Sequence, residues 1–458
     1  MRVIKEIYVL PDGDQFILYA PLKRTLLTVN YSAVSLLKRM RDGSEVPDDA
    51  ETLLAVDRLK TAGIVDADES CPPPHGSNGD YRPTNVTFLP TSDCNLRCIY
   101  CYADSGTTSR YLSPDVARSA IDLVCANARE KKVQRVQVGF LGGGEPFLAW
   151  DMIQEIVAYA RMRANESGLS TYFTGVTNGM LSEERIRWIS ENFQYLNISL
   201  DGTRAIQDRH RPTRDRGGSY ETVIRTVGLL REATFKFAIR STISSISVNQ
   251  MVPIVEFFSH ELGVAKIQLE PLFACGRCRT TSQLAPIPEV FAENFKACLE
   301  VVRSTQTELL CSGIRLDALS STFCGALGDN FYITPDGYVT SCTEVSSPEE
   351  ALAEVFFIGK YDRDTHSFVF WDDRRKILAS RSVPNLRSCG GCISKWHCAG
   401  GCPAKAALGG DIFDPTRLAN CKIARNLTEH SIRTATHGLI DLPGITVRPI
   451  SADMNQKR

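Results

Sequence analysis

The stretch Thr91-Ser-Asp-Cys94-Asn-Leu-Arg-Cys98-Ile-Tyr-Cys101-Tyr102 decides how this sequence is interpreted. It places three cysteines at C-x3-C-x2-C directly after the apolar run Val86-Thr-Phe-Leu-Pro90, which has the composition of a strand. Iron–sulfur clusters are normally held by four cysteines, so three on one tight loop indicate a cubane whose fourth iron is left for a small-molecule ligand. The alternatives are a zinc knuckle, which needs a fourth Cys or His nearby, and buried free thiols.

Length and composition describe an ordinary globular protein. The 458 residues are 43% apolar and 23% charged, with a net charge of −1. They are enough for two or three domains of about 100–200 residues each. The charge balance gives no reason to bind nucleic acid or membrane. No signal peptide is present and no stretch approaches about 18 consecutive apolar residues, so we expect a cytoplasmic protein.

Sixteen cysteines are unusual for such a protein, and ten of them fall in two short regions. In a reducing cytoplasm this usage favours metal ligands over disulfides. Cys125 and Cys298 lie in helical patterns and are predicted to be packing residues. The six cysteines outside the two regions are Cys71, Cys125, Cys275, Cys278, Cys298 and Cys311.

Strands and helices alternate from Arg82 to about Thr305. Such alternation predicts an α/β fold of parallel βαβ units with its functional sites at the carboxyl ends of the strands. The strand before Cys94 and five further strands give six βα units. The five are predicted at Val136–Leu141, Thr171–Val176, Tyr195–Leu200, Lys236–Ile243 and Ala265–Leu269, and helices are predicted to begin near Pro114, Trp150, Ser182, Tyr220, Asn249 and Pro288.

Polar and glycine-rich segments follow these strands and face the same end of the predicted sheet. Gly142-Gly-Gly-Glu145-Pro follows the second strand, where glycines let a ligand approach the backbone and a carboxylate can accept from an ammonium group. Ser199 and Arg240 end the fourth and fifth strands, where a helix cap and surface ion pairs are the alternatives. After the sixth strand, Cys275-Gly-Arg-Cys278 is compatible with a redox pair, half a metal site or two loop thiols.

A second cysteine-rich region extends from Cys324 to Cys421. A hairpin with the turn Pro335-Asp-Gly337 is predicted between Cys324 and Cys342, so that the two thiols can converge. A zinc ribbon would use four of the seven thiols and leave three unexplained. The seven are Cys324, Cys342, Cys389, Cys392, Cys398, Cys402 and Cys421.

Residues 3–66 form a small α/β unit in the sequence. Strands are predicted near Val3–Leu10 and Gln15–Ala20 with a turn at Asp12-Gly13, and helices near Tyr31–Arg41 and Asp48–Ala62. A DNA-binding winged helix and a structural cap are both alternatives. Residues 1–80 carry nine Lys/Arg against thirteen Asp/Glu, which argues against a phosphate-binding surface.

The cysteine loop resembles the cluster motif of the radical S-adenosylmethionine (SAM) enzymes, which also have an aromatic residue before the third cysteine. The resemblance implies an open, partial (β/α)6 TIM-type barrel and a [4Fe–4S] cluster on Cys94, Cys98 and Cys101. It also implies that Gly143, Gly144 and Glu145 hold the amino group of SAM, in place of a plain tight turn. Ser199 and Arg240 become candidates for binding the SAM carboxylate or ribose.

The second region resembles the SPASM domain, which holds two auxiliary [4Fe–4S] clusters and brings the total to three. By this resemblance Cys324, Cys342 and Cys402 bind auxiliary cluster I, and Cys389, Cys392, Cys398 and Cys421 bind auxiliary cluster II. The fourth ligand of cluster I is Cys311, another cysteine, or an open position for substrate. The N-terminal unit resembles the PqqD-like winged-helix element that recognises leader peptides by strand addition.

Together these resemblances imply a radical SAM/SPASM peptide maturase. We expect a leader-recognition domain at 1–80, a radical SAM barrel at 81–308, a SPASM domain at 309–430 and a C-terminal tail at 431–458. The chain would cleave SAM to a 5′-deoxyadenosyl radical and oxidatively crosslink a ribosomally made precursor peptide through a thioether or carbon–carbon bond. An external reductant, flavodoxin or ferredoxin, would supply the electron.

Three other functions are weighed against this interpretation. Sulfatase maturases resemble it but place an aspartate directly after the cysteine of G-x4-C, where this chain has Thr343 and then Glu344. Peptide epimerisation has no obvious use for two extra clusters. A non-enzymatic iron–sulfur regulator or electron carrier would have no use for the Gly-Gly-Glu segment or the six βα units.

Overall fold

The computed structural model describes residues 1–74, 79–279, 284–438 and 446–449. Its N-terminal unit is a small antiparallel sheet followed by two helices, which are joined to the sheet through short loops. Gly13 adopts a left-handed φ of 61° in the turn between the first two strands, where Asp12 pairs with Gln15. The elements are β1 (Tyr8–Asp12), β2 (Gln15–Ala20), β3 (Thr25–Val29), α1 (Tyr31–Arg41) and α2 (Ala50–Thr61).

Two predictions for this unit were wrong in detail. The first strand begins at Tyr8, and Val3 forms only an isolated bridge with Val65. Strand β3 was not predicted, although its short run Thr-Leu-Leu-Thr-Val of apolar and β-branched residues is compatible with a buried strand. Helix α1 begins where predicted because the Asn30 side chain caps it, accepting from Ala33 N at 3.0 Å.

The predicted alternation of strands and helices is confirmed. Six parallel strands follow one another in sequence order, and each observed strand lies within two residues of its predicted position. The strands are β4 (Asn85–Phe88), β5 (Arg135–Phe140), β6 (Ser170–Thr177), β7 (Tyr195–Ser199), β8 (Phe237–Ile243) and β9 (Lys266–Pro271). The helices among them are α3 (Pro114–Glu130), α4 (Trp150–Glu166), α5 (Glu183–Asn192), α6 (Arg204–His210), α7 (Tyr220–Glu232), α8 (Met251–Glu256) and α9 (Pro288–Val302).

The sheet continues beyond these six strands at both ends. A short parallel strand, β10 (Glu308–Leu310), pairs with β9. At the other end β11 (Tyr332–Ile333) pairs in parallel with β4 and opens an antiparallel meander. The meander consists of β11, β12 (Tyr338–Thr340), β13 (Phe357–Asp362) and β14 (Ser367–Phe370). The result is one open sheet of eleven described strands that crosses the domain boundary predicted at residue 308.

Short helices and one long helix complete the cysteine-rich region. The predicted Pro-Asp-Gly hairpin is observed between β11 and β12, with Gly337 at a φ of 79°. The last described strand, β15 (Thr446–Pro449), joins the N-terminal sheet, and the rest of the predicted tail beyond Gly438 lies outside the described residues. The helices are α10 (Ala353–Phe356), α11 (Asp372–Ser380), α12 (Lys395–Cys398), α13 (Pro403–Leu408) and α14 (Ala419–Thr436).

One continuous apolar core lies between the large sheet and its helices. Cys125 on α3 and Cys298 on α9 are buried in it, as predicted for packing residues. The N-terminal unit has its own core, in which Leu18 and Leu27 pack with Leu37. None of the described helices is long and apolar enough to cross a membrane.

Candidate functional site

The carboxyl ends of the six parallel strands surround a cavity of about 260 Å³. This is where parallel βα folds place their sites, because the loops after the strands all leave the sheet on the same side. The cavity collects all three loop cysteines and every residue predicted to contact SAM. These are Cys94, Cys98, Cys101, Gly143, Gly144, Glu145, Ser199 and Arg240.

The cysteine loop after β4 is held from behind by the segment that follows α6. Arg97 N donates to Pro212 O at 2.7 Å, and Ile99 N donates to His210 O at 3.0 Å. The Arg97 guanidinium also donates to the Cys94 carbonyl at 2.9 Å. Two backbone amides of the loop are thus held by Pro212 and His210, a third bond closes within the loop, and the three cysteines line the cavity.

Tyr100, the aromatic residue before the third cysteine, is anchored by a buried acid. Its hydroxyl donates to the Asp201 carboxylate, which also lies 3.1 Å from His210 Nδ1 and 3.1 Å from Arg211 Nε. Burial alone would raise the pKa of Asp201, but Arg211 and His210 hold that pKa well below its usual range. Asp201 is therefore an ionised, fully buried carboxylate that orients the loop.

The segment Cys275-Gly-Arg-Cys278 braces the same loop from the opposite side. Gly276 has a φ of 53°, and a Cβ there would lie 2.3 Å from the carbonyl oxygens of Cys101 and Tyr102. Arg277 donates to Cys98 O at 2.8 Å and to Ser105 O at 3.0 Å, and pairs with Asp104 at 2.8 Å. Gly276 and Arg277 thus hold the cysteine loop in place, a role that the C-x2-C spacing alone did not indicate.

The two cysteines of this segment differ in environment. Cys275 lines the cavity, whereas Cys278 is fully buried and donates to the Cys275 carbonyl at 3.2 Å. Among the described residues, neither cysteine forms a disulfide. The two cysteines are therefore not joined to each other, and of the pair only Cys275 lines the cavity.

The glycine segment after β5 is interlocked with the cysteine loop. Gly144 N donates to Thr91 O at 3.0 Å, and Glu145 N donates to Asp93 O at 2.8 Å. A Cβ on Gly144 would lie only 1.9 Å from Asp93 O, so the position requires glycine. The two segments thus form one rigid rim of the cavity.

The Glu145 carboxylate is nearly buried at this rim, with 3% exposure. It accepts from Thr177 Oγ1 at 2.9 Å and from Asn178 N at 2.7 Å. Burial raises its pKa to about 7, although those hydrogen bonds oppose the shift. A bound ammonium group would favour the ionised form, as expected for an amino-group acceptor.

Arg240 on β8 and Ser199 on β7 lie across the cavity from the glycine segment. The Arg240 side chain is exposed to the cavity. It lies close enough to the buried hydroxyl of Tyr102 to oppose the rise that burial causes in the pKa of that group. A cationic side chain at this position suits a carboxylate ligand.

The cysteine-rich region supplies the remaining wall. Thr343, Glu344 and Lys405 line the cavity beside Glu270. Burial would lower the pKa of Lys405, but nearby Glu344, Cys402 and Glu270 together raise it above its usual value. Sequence reasoning missed Lys405, whose position one turn into α13 after Cys402 was the available signal.

The seven cysteines of that region influence one another's pKa values in two sets, while their assignment to two clusters stays a prediction. Beyond burial, the pKa of Cys342 is raised by Glu344, Cys402 and Cys324. Likewise burial raises the pKa of Cys398 to about 12, with Cys392, Cys421 and Cys389 contributing. The pKa of the Cys311 thiol is raised mainly by burial and by Glu270. Its predicted role as a further cluster ligand stays a prediction.

The donor set fits iron–sulfur clusters. Burial raises the pKa of Cys94 to about 12 and of Cys98 to about 11, so the thiolate forms need a positive partner such as iron. Among the described residues, no three His, Cys, Asp or Glu side chains converge enough to hold a single ion. Cubane cysteines bind different irons and lie farther apart than the ligands of one zinc ion.

The N-terminal unit is docked on the cysteine-rich region. Ile17, Tyr19 and Leu26 on one face of its sheet pack with Ile393 and Ile432. Polar contacts across the same interface include Tyr8 Oη to Cys392 O at 3.0 Å, Tyr19 Oη to His397 Nε2 at 2.7 Å and Lys395 Nζ to Glu6 at 2.6 Å. The unit therefore contacts the segment that carries Cys392 and Cys398 directly.

Comparison with known proteins agrees with this geometry. Residues 88–257 match the model of the radical SAM superfamily. The chain contains a radical SAM domain. Among curated proteins, it is 22% identical over 174 residues to the cysteine-type anaerobic sulfatase-maturating enzyme of Clostridium novyi, covering 37% of this chain and 46% of that enzyme. The chain spans about half the length of the first curated relatives that it matches.

Two solved structures share the fold over most of the chain. Native anSMEcpe with bound AdoMet has a TM-score of 0.62 and 17% identity, covering 78% of this chain and 99% of that one. Streptococcus suis SuiB bound to the precursor peptide SuiA has a TM-score of 0.52 and 14% identity, covering 92% and 99%. The α/β fold with its parallel sheet, predicted from the sequence, is thereby confirmed.

Proposed function

We propose that this protein is a radical SAM enzyme that oxidatively modifies a ribosomally made peptide. The observation that carries the proposal is the shared cavity. It unites the three loop cysteines, the glycine segment and Arg240 with residues of the cysteine-rich region, namely Thr343, Glu344 and Lys405. Cofactor-binding and substrate-facing groups thus border one space of about 260 Å³.

In this proposal Cys94, Cys98 and Cys101 would hold the cluster, and SAM would occupy the cavity that they share with Arg240. When bound, cluster and SAM together supply a 5′-deoxyadenosyl radical that abstracts an unactivated hydrogen. Glu145 accepts from the SAM amino group, and Arg240 pairs with its carboxylate. Gly143 and Gly144 let the cofactor approach the backbone, and Ser199 faces the ribose.

The cysteine-rich region would provide the place for the surplus electron. Cys324, Cys342 and Cys402 would hold the nearer auxiliary cluster and the other four cysteines the farther one. Removing one hydrogen atom, one further electron and one proton from a peptide leaves it two hydrogens short once the new bond has closed. A thioether or carbon–carbon crosslink is the product that matches this balance, with flavodoxin or ferredoxin as the external reductant.

The N-terminal unit would recognise a leader segment of the precursor. Its three antiparallel strands and two helices form a unit of the kind that accepts an added strand, and β3 already pairs with one such strand, β15. The fold likeness to SuiB supports this role. It covers 92% of this chain, so the aligned part must include some of residues 1–80. The excess of acidic residues in that unit argues against a nucleic-acid partner.

A second candidate is formylglycine formation of the sulfatase-maturase kind. It is favoured by the fold likeness to anSMEcpe and by Glu344, whose carboxylate lines the cavity one residue after the position of the expected aspartate. Glu344→Gln would abolish that activity if the carboxylate is the base, with Thr343→Ala as the matched neighbour. Crosslinking should lower the peptide mass by about two hydrogens and join two residues. Formylglycine formation would instead change only the cysteine or serine that is oxidised.

The test of the core proposal is iron content together with SAM cleavage. Anaerobically reconstituted protein should hold on the order of twelve irons. Replacing Cys94, Cys98 and Cys101 with Ala should remove about four of them and abolish formation of 5′-deoxyadenosine. A Cys125→Ala variant, which changes a core cysteine on α3, serves as control. Retained SAM cleavage in the triple variant would contradict the assignment.

A further inference from the structure

The N-terminal sheet has a fourth strand that comes from the far end of the chain. Residues Thr446–Pro449 form β15, which pairs in parallel with β3 in the register Thr446 to Thr25 and Pro449 to Thr28. We propose that the outer edge of β3 is a peptide-binding edge and that β15 occupies it as an intramolecular competitor. A peptide ligand must then displace β15 before it can bind.

The opposite edge of the same sheet is unsuited to strand addition. Strand β1 contains Pro11, which has no amide hydrogen to donate. The Pro11 carbonyl already accepts from Arg433 Nη1 on α14 at 2.6 Å, and Arg433 also pairs with Asp12 at 3.1 Å. Because β1 is blocked in this way, β3 is the edge that can take a peptide.

Only one strand at a time can pair with the outer edge of β3. Strand β3 has five residues, and β15 pairs with four of them. A strand-forming peptide needs the same backbone groups, so it cannot add beside β15. Its arrival requires that β15 leave.

Two features indicate that β15 can leave and return. It is four residues long and parallel to β3, and parallel pairing is slightly weaker per residue than antiparallel pairing. Helix α14, which precedes it, packs against β2 and β3 and ends at Thr436, only ten positions before Thr446. Such a short tether gives the strand an effective concentration in the millimolar range.

The inference relies on the proposed function only for the identity of the displacing peptide, which would be the precursor leader. Its thermodynamic consequence is general. If β15 occupies the edge nine times in ten, an external peptide binds about tenfold more weakly than it binds a free edge. Recognition of the precursor would thus be opposed by the chain itself until a peptide with a better strand arrives.

The test uses a synthetic peptide of residues 439–458 as the probe and a chain ending at Gly438. Backbone amides of Thr25–Val29 that are not bonded to β2 should exchange hydrogen at least about tenfold faster in the shortened chain than in the full chain. Adding the peptide should restore protection. The labelled peptide should bind the shortened chain at least about tenfold more tightly than the full chain, and a scrambled peptide should bind neither.

A full-length variant guards against misfolding of the shortened chain. Val447→Pro/Arg448→Pro removes amide hydrogens from two consecutive residues, and because alternate amides point to opposite sides, at least one lost donor faces β3. It should expose the β3 amides as truncation does, whereas Ala452→Pro should not. Equal protection in all chains, or failure of the peptide to bind the shortened chain, overturns the inference. Loss of SAM cleavage in the full chain would instead count against the proposed function and leave the exchange result standing.

Discussion

Adding a single methyl group at Gly144 should release the iron held by the cysteine loop. The new Cβ would lie 1.9 Å from Asp93 O, about 1 Å closer than such contacts allow, and both partners belong to backbone. Relieving the clash separates the two segments and breaks the bonds from Gly144 N to Thr91 O and from Glu145 N to Asp93 O. Overpacking costs about 1–3 kcal/mol and the two bonds about 0.5–1.5 kcal/mol each, hence about 2–6 kcal/mol in all.

The adjacent glycine provides the matched control. A Cβ on Gly143 would meet Ser346 Oγ at 3.3 Å, a contact that a small side-chain rotation relieves. Neither residue has a positive φ, so space alone distinguishes the two substitutions. After anaerobic reconstitution Gly144→Ala should lack about four irons per chain while Gly143→Ala retains them. Equal iron content in both variants would refute the reasoning.

Two further predictions concern the same cavity. Because burial raises the pKa of Glu145 to about 7, its carboxyl group is protonated below that pH and loses its attraction for an ammonium group. The affinity of the reconstituted protein for SAM should therefore weaken as the pH falls from 8 to 6, by at most about tenfold per pH unit. The Glu145→Gln variant should bind SAM weakly and without this pH dependence. The Arg277→Lys variant should lose the forked pair of hydrogen bonds to Cys98 O and Ser105 O, which together are worth about 2 kcal/mol. It should release the iron of the cysteine loop to a chelator at least about tenfold faster than wild type. The control variant Arg279→Lys, which changes an exposed residue, should behave as wild type.

Much of the fold could be predicted from the sequence because its signals are local. Apolar runs that end in glycine or polar residues placed all six parallel strands. Strand β3 could have been found from its run of apolar and β-branched residues. Strand β15 could not, because a four-residue strand is specified by its partner and not by its own residues.

The residues of the candidate site that belong to sequence motifs could be predicted. Those that reach the site only because folding brings distant segments together could not. The loop cysteines, the glycine segment and Arg240 carry recognisable spacing, and the structure brings them together. Lys405 belongs to no motif, and its only signal was its place shortly after Cys402, where α13 begins. The bracing role of Arg277 likewise depends on a contact between segments about 180 residues apart, which a single sequence does not reveal.

The pairing of β11 with β4 has a consequence for electron transfer. Strand β4 leads into the loop with Cys94, and β11 lies in the hairpin between Cys324 and Cys342, so a hydrogen-bonded register joins the two groups of sulfurs: Tyr332 to Thr87 and Ile333 to Phe88. Shifting one group against the other would break that ladder within the sheet. For the clusters proposed at these positions, the distance that an electron must cross would thus be set by backbone pairing between two strands of one sheet.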